Sequence, residues 1–298
     1  MCVDESAICI IAEILNCETK EIQNLTAMKM GMTNLSYSFK FGDKFFIARI
    51  PGEGTGRLID REQEYSVYKK IAPLNICDDV VHINPKTGHK VTVFWENVRV
   101  CDPNNNNDVS ACMKMLRDFH SCKLKVPHTF DVFERIEFYE SLWNVPSCYE
   151  DYKNTKVNVL ELKKYIADCK KDFVLTHIDA VPDNFLFLET ENGKAELRLI
   201  DWEYAAMQDP HLDIAMFIVY SMYTREQAEN LIDIYFQEDC LPDVRVKIYA
   251  YIAMCGLLWS NWCEYKRQYG IEFGEYALKQ YQFAKEYFSV FWEAQSAL

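Results

Sequence analysis

The chain has 298 residues, enough to bury a large hydrophobic core and to form two lobes. With 32 basic and 45 acidic residues, its net charge of -13 argues against a general nucleic-acid-binding protein, which normally presents a basic face. The twelve cysteines show no CxxC pair and no regular spacing, which indicates reduced thiols and disfavours a zinc site.

The start of the chain, "MCVDESAICIIAEIL", has acids where a signal peptide needs positive charge. The longest apolar stretch, "IYAYIAMCGLLW" at 248–259, is too short to cross a bilayer. We therefore expect a cytoplasmic protein with no nucleic-acid or membrane partner. The oligomeric state is unknown at this point.

The first hundred residues are typical of a small lobe rich in strands. A short helix is predicted over "ESAICIIAEIL", with a connector to about residue 30. Alternating apolar residues over 37–50 predict an antiparallel hairpin, with Gly42-Asp43 as its two-residue loop. After the glycine-rich loop 51–56, Asp60 is predicted to cap a helix that ends near Ile71.

The stretch "HKVTVFWENV" at 89–98 alternates again and predicts one further strand. The polar run "CDPNNNND" at 101–108 follows, and it separates a lobe of residues 1–100 from a lobe of residues 101–298. Beyond it the pattern becomes helical, and the spacing of the apolar residues in "DVSACMKMLRDFHSC" places Val109, Met113, Leu116 and Phe119 on one face. Helical periodicity returns at 157–170 and 225–237 and dominates from 244 onwards.

Two polar motifs interrupt this helical region, each next to a strand-like apolar run. They are "LTHIDAVPDNFLF" at 175–187 and "LRLIDWEYA" at 197–205. Phosphoryl transfer needs a base near the acceptor hydroxyl and oxygen ligands for magnesium. Asp179 fits the first role, and Asn184 and Asp201 fit the second. The alternative is that Asp179 and Asn184 are turn residues and Asp201 caps a helix.

The pattern H-x-D-x-x-x-x-N followed by "IDWEY" resembles the choline kinase and aminoglycoside phosphotransferase superfamily, above all the bacterial choline kinases of the LicA type. Similar segments are "GMTNLSYSF", "ARIPGEGTGRLIDREQE", "LRDFH" and "DPHLDIA". The resemblance implies an α+β, bilobal protein-kinase-like fold. A small antiparallel-sheet N-terminal lobe would bind the nucleotide, and a larger, mainly helical C-terminal lobe would bind the acceptor.

For the catalytic loop, the resemblance implies that Asp179 is the catalytic base and that Asn184 and Asp201 are magnesium ligands. Asp213 matches an aspartate that braces this loop. Ile178 is a departure, because relatives often have asparagine or glycine at this position. For the ATP site, the resemblance implies a phosphate loop with Thr33, Asn34 and Ser36. It also implies an ion pair between Arg49 on the next strand and Glu64 on the following helix. Glu96 ends the strand that leads to the adenine hinge.

The acceptor is inferred from the last part of the chain, where residues 244–298 contain fourteen aromatic residues and five acids. A trimethylammonium group has no N–H to donate and is attracted to aromatic faces. Trp259 and Trp262 share a helix face at i, i+3. Together with Tyr276, Tyr220 and Tyr223, they match the cation cage of choline kinases, and Glu203 is the candidate acid beside it. Ordinary core packing of these rings is the alternative.

The predicted function is therefore that of an ATP- and magnesium-dependent kinase whose small-molecule substrate is choline and whose product is phosphocholine. Ethanolamine, aminoglycoside, thiamine or sugar kinases of the same fold are the alternatives within the enzyme class. A catalytically silent, kinase-like binding protein is the alternative outside it.

Overall fold

The computed structural model describes residues 5–28, 34–52, 58–189 and 195–298 of the chain. The chain divides into two compact units, the first spanning Met1–Val100 and Phe185–Tyr204, and the second spanning Cys101–Asn184 and Ala205–Leu298. The segment Phe185–Tyr204 thus packs with residues that precede the boundary predicted at 100. Thr33 and residues 53–57 of the glycine-rich region lie outside the described ranges.

A five-stranded antiparallel sheet dominates the first unit, with the strand order β1-β2-β3-β5-β4. The strands are β1 Ile22–Ala27, β2 Asn34–Phe41, β3 Lys44–Pro51, β4 Val80–Ile83 and β5 Lys90–Val93. Helix α1 (Glu5–Leu15) shares a core with four of them, formed by Ile11, Ala12, Ile22, Phe39, Phe46, Ala48 and Val91.

The predicted hairpin and both predicted helices of this unit are confirmed. Gly42 lies in the hairpin loop at φ 60°, a conformation that glycine adopts without steric cost. Asp60 caps helix α2 (Arg61–Ile71), and its carboxylate accepts from the amides of Glu62 and Gln63, each at 3.0 Å. The direction of α2 is thus set at its first turn, which carries Glu64.

Two sequence predictions in this unit were wrong. The predicted connector contains β1, where Ile22 is the one fully buried side chain, so the strand shows no alternating apolar pattern. The strand predicted over 89–98 is two strands, β5 and β6 (Val98–Val100), separated by a bend in which Asn97 has φ 54°. Because β6 pairs with the later strand Phe185–Glu189 in a separate three-stranded sheet, the bend ends one sheet and starts another.

Seven helices and a short strand pair are described in the second unit. The helices are α3 Asn106–Ser121, α4 Val132–Ser141, α5 Tyr152–Asp168, α6 His211–Tyr220, α7 Arg225–Phe236, α8 Pro242–Arg267 and α9 Glu275–Gln295. The predicted apolar face of α3 is confirmed, since Val109, Met113, Leu116 and Phe119 are all buried. Helices α8 and α9 cross closely at Gly256, where a Cβ would lie 2.7 Å from the carbonyl oxygen of Gln280.

The strands beside the two polar motifs pair with each other in two places. β7 (Val174–Thr176) pairs with β10 (Ala206–Gln208) in the second unit, and β8 (Phe185–Glu189) pairs with β9 (Ala195–Leu199) in the first. Among the residues that the structure describes, no helix combines the length and apolarity needed to cross a membrane.

Candidate active site

An ion pair between β3 and α2 forms the centre of the polar group in the first unit. The guanidinium of Arg49 places Nη2 2.6 Å from Oε1 of Glu64, and both side chains are almost wholly buried. Nη1 of Arg49 also lies 3.3 Å from Oε2 of Glu203 and 3.6 Å from Oδ1 of Asp201. A single arginine thus contacts the helix and the segment after β9, so it can orient both toward one ligand.

A second arginine, Arg61 at the start of α2, joins the same carboxylates. Its Nη1 is 2.9 Å from Oε2 of Glu64 and 3.1 Å from Oε2 of Glu203, and its Nη2 donates to Oδ1 of Asn34 at 2.9 Å. The amide nitrogen of Asn34 donates to Glu203 at 3.1 Å. The structure therefore places Asn34 and Glu203, predicted as phosphate-loop and substrate residues, in one buried polar cluster.

Asp201 lies at the open edge of this cluster. It follows β9 in a left-handed conformation with φ 65°, and 38% of its side chain is exposed. The surrounding protein still raises the pKa of Asp201, against the opposing charge of Arg49. Burial and the charge of Asp201 raise the pKa of Glu203 to about 7, although Arg49 opposes this shift.

Burial is the main cause of both raised pKa values, and the nearby arginines supply too little positive charge to offset it. A divalent cation would supply that charge, and carboxylate oxygen is a ligand that magnesium prefers. The observed environment of Asp201 thus fits a metal ligand. Asn184, its predicted partner, belongs to the second unit, so their joint role stays a prediction.

The other predicted nucleotide residues have less enclosed positions. Ser36 is half-buried on β2 and pairs with Arg49 in the sheet register. Glu96 is exposed in the bend between β5 and β6. Thr33 is outside the described residues, so its predicted role in the phosphate loop also stays a prediction.

The second unit carries the loop with the predicted catalytic base. Asp179 is half-buried after β7, and a 3-10 turn at Pro182–Asn184 brings Asn184 back toward it. The amide nitrogen of Asn184 donates to the backbone oxygen of Asp179 at 2.9 Å and to its Oδ2 at 3.3 Å. Because the nitrogen makes both bonds, the side-chain oxygen is the atom of this amide suited to a metal.

Asp213, in the first turn of α6, accepts hydrogen bonds from the backbone of this loop. Its Oδ2 accepts from the amide of His177 at 3.0 Å, and its Oδ1 accepts from the amide of Ile178 at 2.7 Å. Nε2 of His120 lies 2.9 Å from the same Oδ2, and Asp213 is fully buried. Ile178 has φ 71°, an unfavourable conformation for a β-branched residue, which explains why asparagine or glycine would suit this position.

We expect Asp213→Asn to lower both stability and turnover. The amides of His177 and Ile178 donate to different oxygens of Asp213, and asparagine replaces one of these acceptors with an NH2 donor. One amide then faces a donor, and a buried unpaired N–H costs about 1–3 kcal/mol. Denaturant unfolding and kcat should be measured on the same preparation, with Asp168→Asn as an exposed control. A variant as stable and as active as the parent would show that Asp213 does not brace the loop.

Aromatic side chains from α6, α8, the segment between α8 and α9, and the start of α9 form a continuous row in the second unit. The row runs through Tyr220, Tyr276, Phe273, Trp262 and Trp259. Successive ring centres are 5.9, 6.4, 5.0 and 5.8 Å apart, mostly edge to face. Trp262 is 3% exposed, whereas Trp259, Tyr220 and Tyr276 are only half-buried. The row therefore has both packed rings and accessible faces.

One end of the row, the ring of Tyr220, meets the catalytic loop. The hydroxyl of Tyr220 donates to Oδ2 of Asp183 at 2.5 Å. Burial raises the pKa of Tyr276 well above its usual value, and the charges of Tyr220 and Asp179 add to the shift. Through Asp183, this end of the row contacts the loop that carries the predicted base, Asp179.

Two further predicted acceptor residues, Tyr223 and Glu203, have other partners in the structure. Tyr223 is 4% exposed, its hydroxyl donates to the backbone oxygen of Pro103, and its ring lies 6.2 Å from that of Phe217. Glu203 is in the polar cluster of the first unit. Their predicted roles at the substrate remain predictions.

Sequence reasoning missed Arg61 and Phe273. The helix-start position of Arg61 gave no sign of the contacts it makes with Asn34 and Glu203, which are distant in sequence. Phe273 lies in the segment between α8 and α9 and fills the space between Trp262 and Tyr276. The sequence did contain a signal for a turn at Phe273, namely the flanking glycines Gly270 and Gly274. In the structure both adopt positive φ, at 78° and 52°.

Comparison with solved structures defines the class of protein. The crystal structure of choline kinase LicA from Streptococcus pneumoniae matches with a TM-score of 0.81 at 29% identity, covering 96% of this chain and 100% of that one. A structure of LicA in complex with AMP matches with a TM-score of 0.77 at 29% identity, covering 95% and 98% of the two chains. The predicted α+β, protein-kinase-like fold is confirmed, and the chain is a phosphotransferase.

The family follows from sequence. The chain is 28% identical over 267 residues to protein LicA of Haemophilus influenzae, covering 84% of this chain and 76% of the relative. The model of the choline/ethanolamine kinase family matches residues 25–236. The chain belongs to the choline/ethanolamine kinase family.

Proposed function

We propose that the protein transfers the γ-phosphoryl group of ATP to the hydroxyl of choline, giving phosphocholine and ADP. In this reaction the choline oxygen forms a bond to phosphorus, the bond from phosphorus to the ADP oxygen breaks, and the hydroxyl proton leaves toward Asp179. The aromatic row beside the catalytic loop is the observation that carries the choice of acceptor. Membership of the family and similarity to choline kinase LicA support it.

A quaternary ammonium needs ring faces, because it has no N–H for a carboxylate to accept. The row offers five neighbouring rings, and the ammonium of Lys266 lies 5.5 Å from the centre of the Trp262 ring, so this ring already attracts a cation. The nearby acid Glu264 is compensated, since Nη2 of Arg267 is 3.1 Å away and the amide of Cys148 donates to it at 2.9 Å. An aminoglycoside or ethanolamine would favour uncompensated carboxylates instead.

The residues of the two units are assigned complementary roles. Asp179 orients the hydroxyl and accepts its proton, and Asn184 holds the loop in shape through its bonds to Asp179. Asn184 and Asp201 are the proposed magnesium ligands, and Arg49 offsets phosphate charge. When bound, magnesium neutralises the charge that develops on the phosphate oxygens. The rate should come mainly from alignment and electrostatics.

A coupled assay of ADP release tests the proposal with a panel of acceptors: choline, ethanolamine, an aminoglycoside, thiamine and a simple sugar. Choline should give the highest kcat/KM, and the phosphorylated product should be identified by mass. A preference for ethanolamine would leave the family intact and reject the proposed substrate. No transfer to any acceptor, with nucleotide binding retained, would favour the silent binding protein.

We expect Trp259→Ala to raise the KM for choline by about five- to thirtyfold, because one ring face worth about 1–2 kcal/mol is lost. Trp262→Phe should have a smaller effect, since a weaker ring face remains. Phenylalanine is preferable at 262 because truncating so buried a tryptophan to alanine costs about 3–5 kcal/mol of stability. The KM for ATP should hardly change in either variant.

Trp143→Ala is the matched control for this prediction. Trp143 is a half-buried tryptophan of the same unit, whose ring packs 5.0 Å from Tyr152 and whose Nε1 donates to the backbone oxygen of Asn261. It should lower the melting temperature without changing the KM for choline. If Trp259→Ala behaved in the same way, the tryptophan would be a packing residue and the choice of choline would reopen.

A further inference from the structure

The ion pair Arg49–Glu64 is accompanied by a second buried guanidinium that the proposed reaction does not use. Arg61 is 8% exposed and contacts the same two carboxylates as Arg49, those of Glu64 and Glu203. The four charged groups alternate in sign. Arg61 also donates to Oδ1 of Asn34 at the start of β2.

Charge balance requires this second cation. Arg49 alone would face three carboxylates, those of Glu64, Glu203 and Asp201, at distances of 2.6, 3.3 and 3.6 Å. A buried acid without a cation is costly, so Arg49 would be held between the acids. With Arg61 present, Glu64 and Glu203 each have two guanidinium partners. Arg49 then neutralises less of their negative charge by itself.

The backbone beside Arg61 is shaped to receive it. Gly88, before β5, has φ 73°, and a Cβ there would lie 2.7 Å from both Cδ and Nε of Arg61. The carbonyl oxygen of the same glycine accepts from Nη2 of Arg49 at 3.4 Å. One glycine therefore contacts both arginines, and a larger residue would displace Arg61 from the cluster.

We infer that Arg61 is a positioning residue of the nucleotide site, which fixes Asn34, Glu64 and Glu203 so that Arg49 and Asp201 are correctly placed for ATP and its metal. This rests on the proposed ATP-dependent function. Arg61 contacts three parts of the unit at once. They are the first residue of β2, the first turn of α2 and the turn that follows Asp201. Through these contacts it acts on the residues that meet the nucleotide, without being required to touch it.

The test compares Arg61→Met and Arg61→Lys with Lys247→Met. Lys247 is the matched control, because it is a 4% exposed cation of the second unit whose Nζ is 2.6 Å from its own carboxylate partner, Asp209. Calorimetric titration with ADP, with and without magnesium, gives the nucleotide Kd, and thermal unfolding gives the melting temperature. Steady-state kinetics then separate KM for ATP from kcat.

Arg61→Met should weaken ADP binding about tenfold or more and raise the KM for ATP, while lowering the melting temperature. Arg61→Lys should recover part of the affinity, because its ammonium can neutralise Glu64 and Glu203 but cannot also reach Asn34 in the same fork geometry. Lys247→Met should lower the melting temperature and leave the ADP Kd unchanged. Parent-like ADP affinity in both Arg61 variants, whatever their melting temperatures, would overturn the inference.

If Arg61→Met destabilises the protein so much that it does not fold, a double variant still tests the inference. In Arg61→Met with Glu203→Gln, the acid left without its second partner is neutral, and part of the lost stability should return. If the double variant folded and bound ADP as the parent does, positioning by Arg61 would be excluded. The acceptor panel tests the choice of choline separately, because ADP affinity does not depend on which acceptor is used.

Discussion

Asp179→Asn should lower kcat by about a hundredfold or more, the scale of a lost general base. Asparagine has nearly the same shape, and its oxygen can still accept from the amide of Asn184, which lies 3.3 Å from Oδ2 in the parent. The main bond of Asn184 goes to the backbone oxygen of residue 179 and is untouched by the change. The loop should therefore keep its form while losing the group that takes the hydroxyl proton.

The measurement is single-turnover transfer from ATP to choline, together with ADP affinity and melting temperature. Asp172→Asn, an exposed carboxylate shortly before β7, is the control for the loss of one negative charge in the same segment. The ADP affinity and melting temperature of Asp179→Asn should stay near those of the parent. Near-normal turnover in this variant would remove Asp179 from the chemistry.

Much of this site could be predicted because its signals are local. The Asp60 cap, the Gly42 turn and the spacing from Asp179 to Asn184 each depend on residues a few positions apart. Short-range geometry of this kind is fixed by backbone preferences that the sequence displays directly. The motif spacing also carried the resemblance to the family that the comparisons bear out.

The polar cluster could not be predicted in the same way, because its contacts join distant residues. Arg61 binds Glu203 across 142 positions, and Asn34 binds Glu203 across 169. Amino-acid patterns give no register for such contacts. The sequence pattern places Glu203 beside the acceptor, whereas in the structure Glu203 contacts the two arginines and Asn34.

Backbone strain was equally hidden. A β-branched residue gives no sequence signal for a left-handed conformation, yet Ile178 has φ 71°. The conformation is held by the bond from its amide to Asp213, 35 positions away. The bend at Asn97 ended a strand that otherwise alternated regularly. Strain of this kind at a functional loop is maintained by surrounding contacts, which only the fold reveals.

Removing the carboxylate of Asp201 should abolish transfer at any practical magnesium concentration. Asp201→Ala removes the proposed ligand, but alanine is poorly suited to the φ of 65° found here. Asp201→Asn is therefore the better variant, since asparagine tolerates this conformation and differs in charge. Because the pKa of Asp201 is raised in the protein, its neutral replacement should not destabilise the fold, and the melting temperature should be unchanged or higher.

Asn184 separates metal binding from loop support in the same experiment. Asn184→Ala should raise the magnesium concentration needed for half-maximal activity, but it also removes the bond to the backbone oxygen of Asp179. Asn184→Asp keeps an oxygen ligand and loses that N–H donor, so it should retain the magnesium requirement while kcat falls. Magnesium titrations of activity and of ADP affinity distinguish these effects. If the Asp201 and Asn184 variants all responded to magnesium as the parent does, neither residue would be a ligand, and the metal would have to be held by other oxygen atoms.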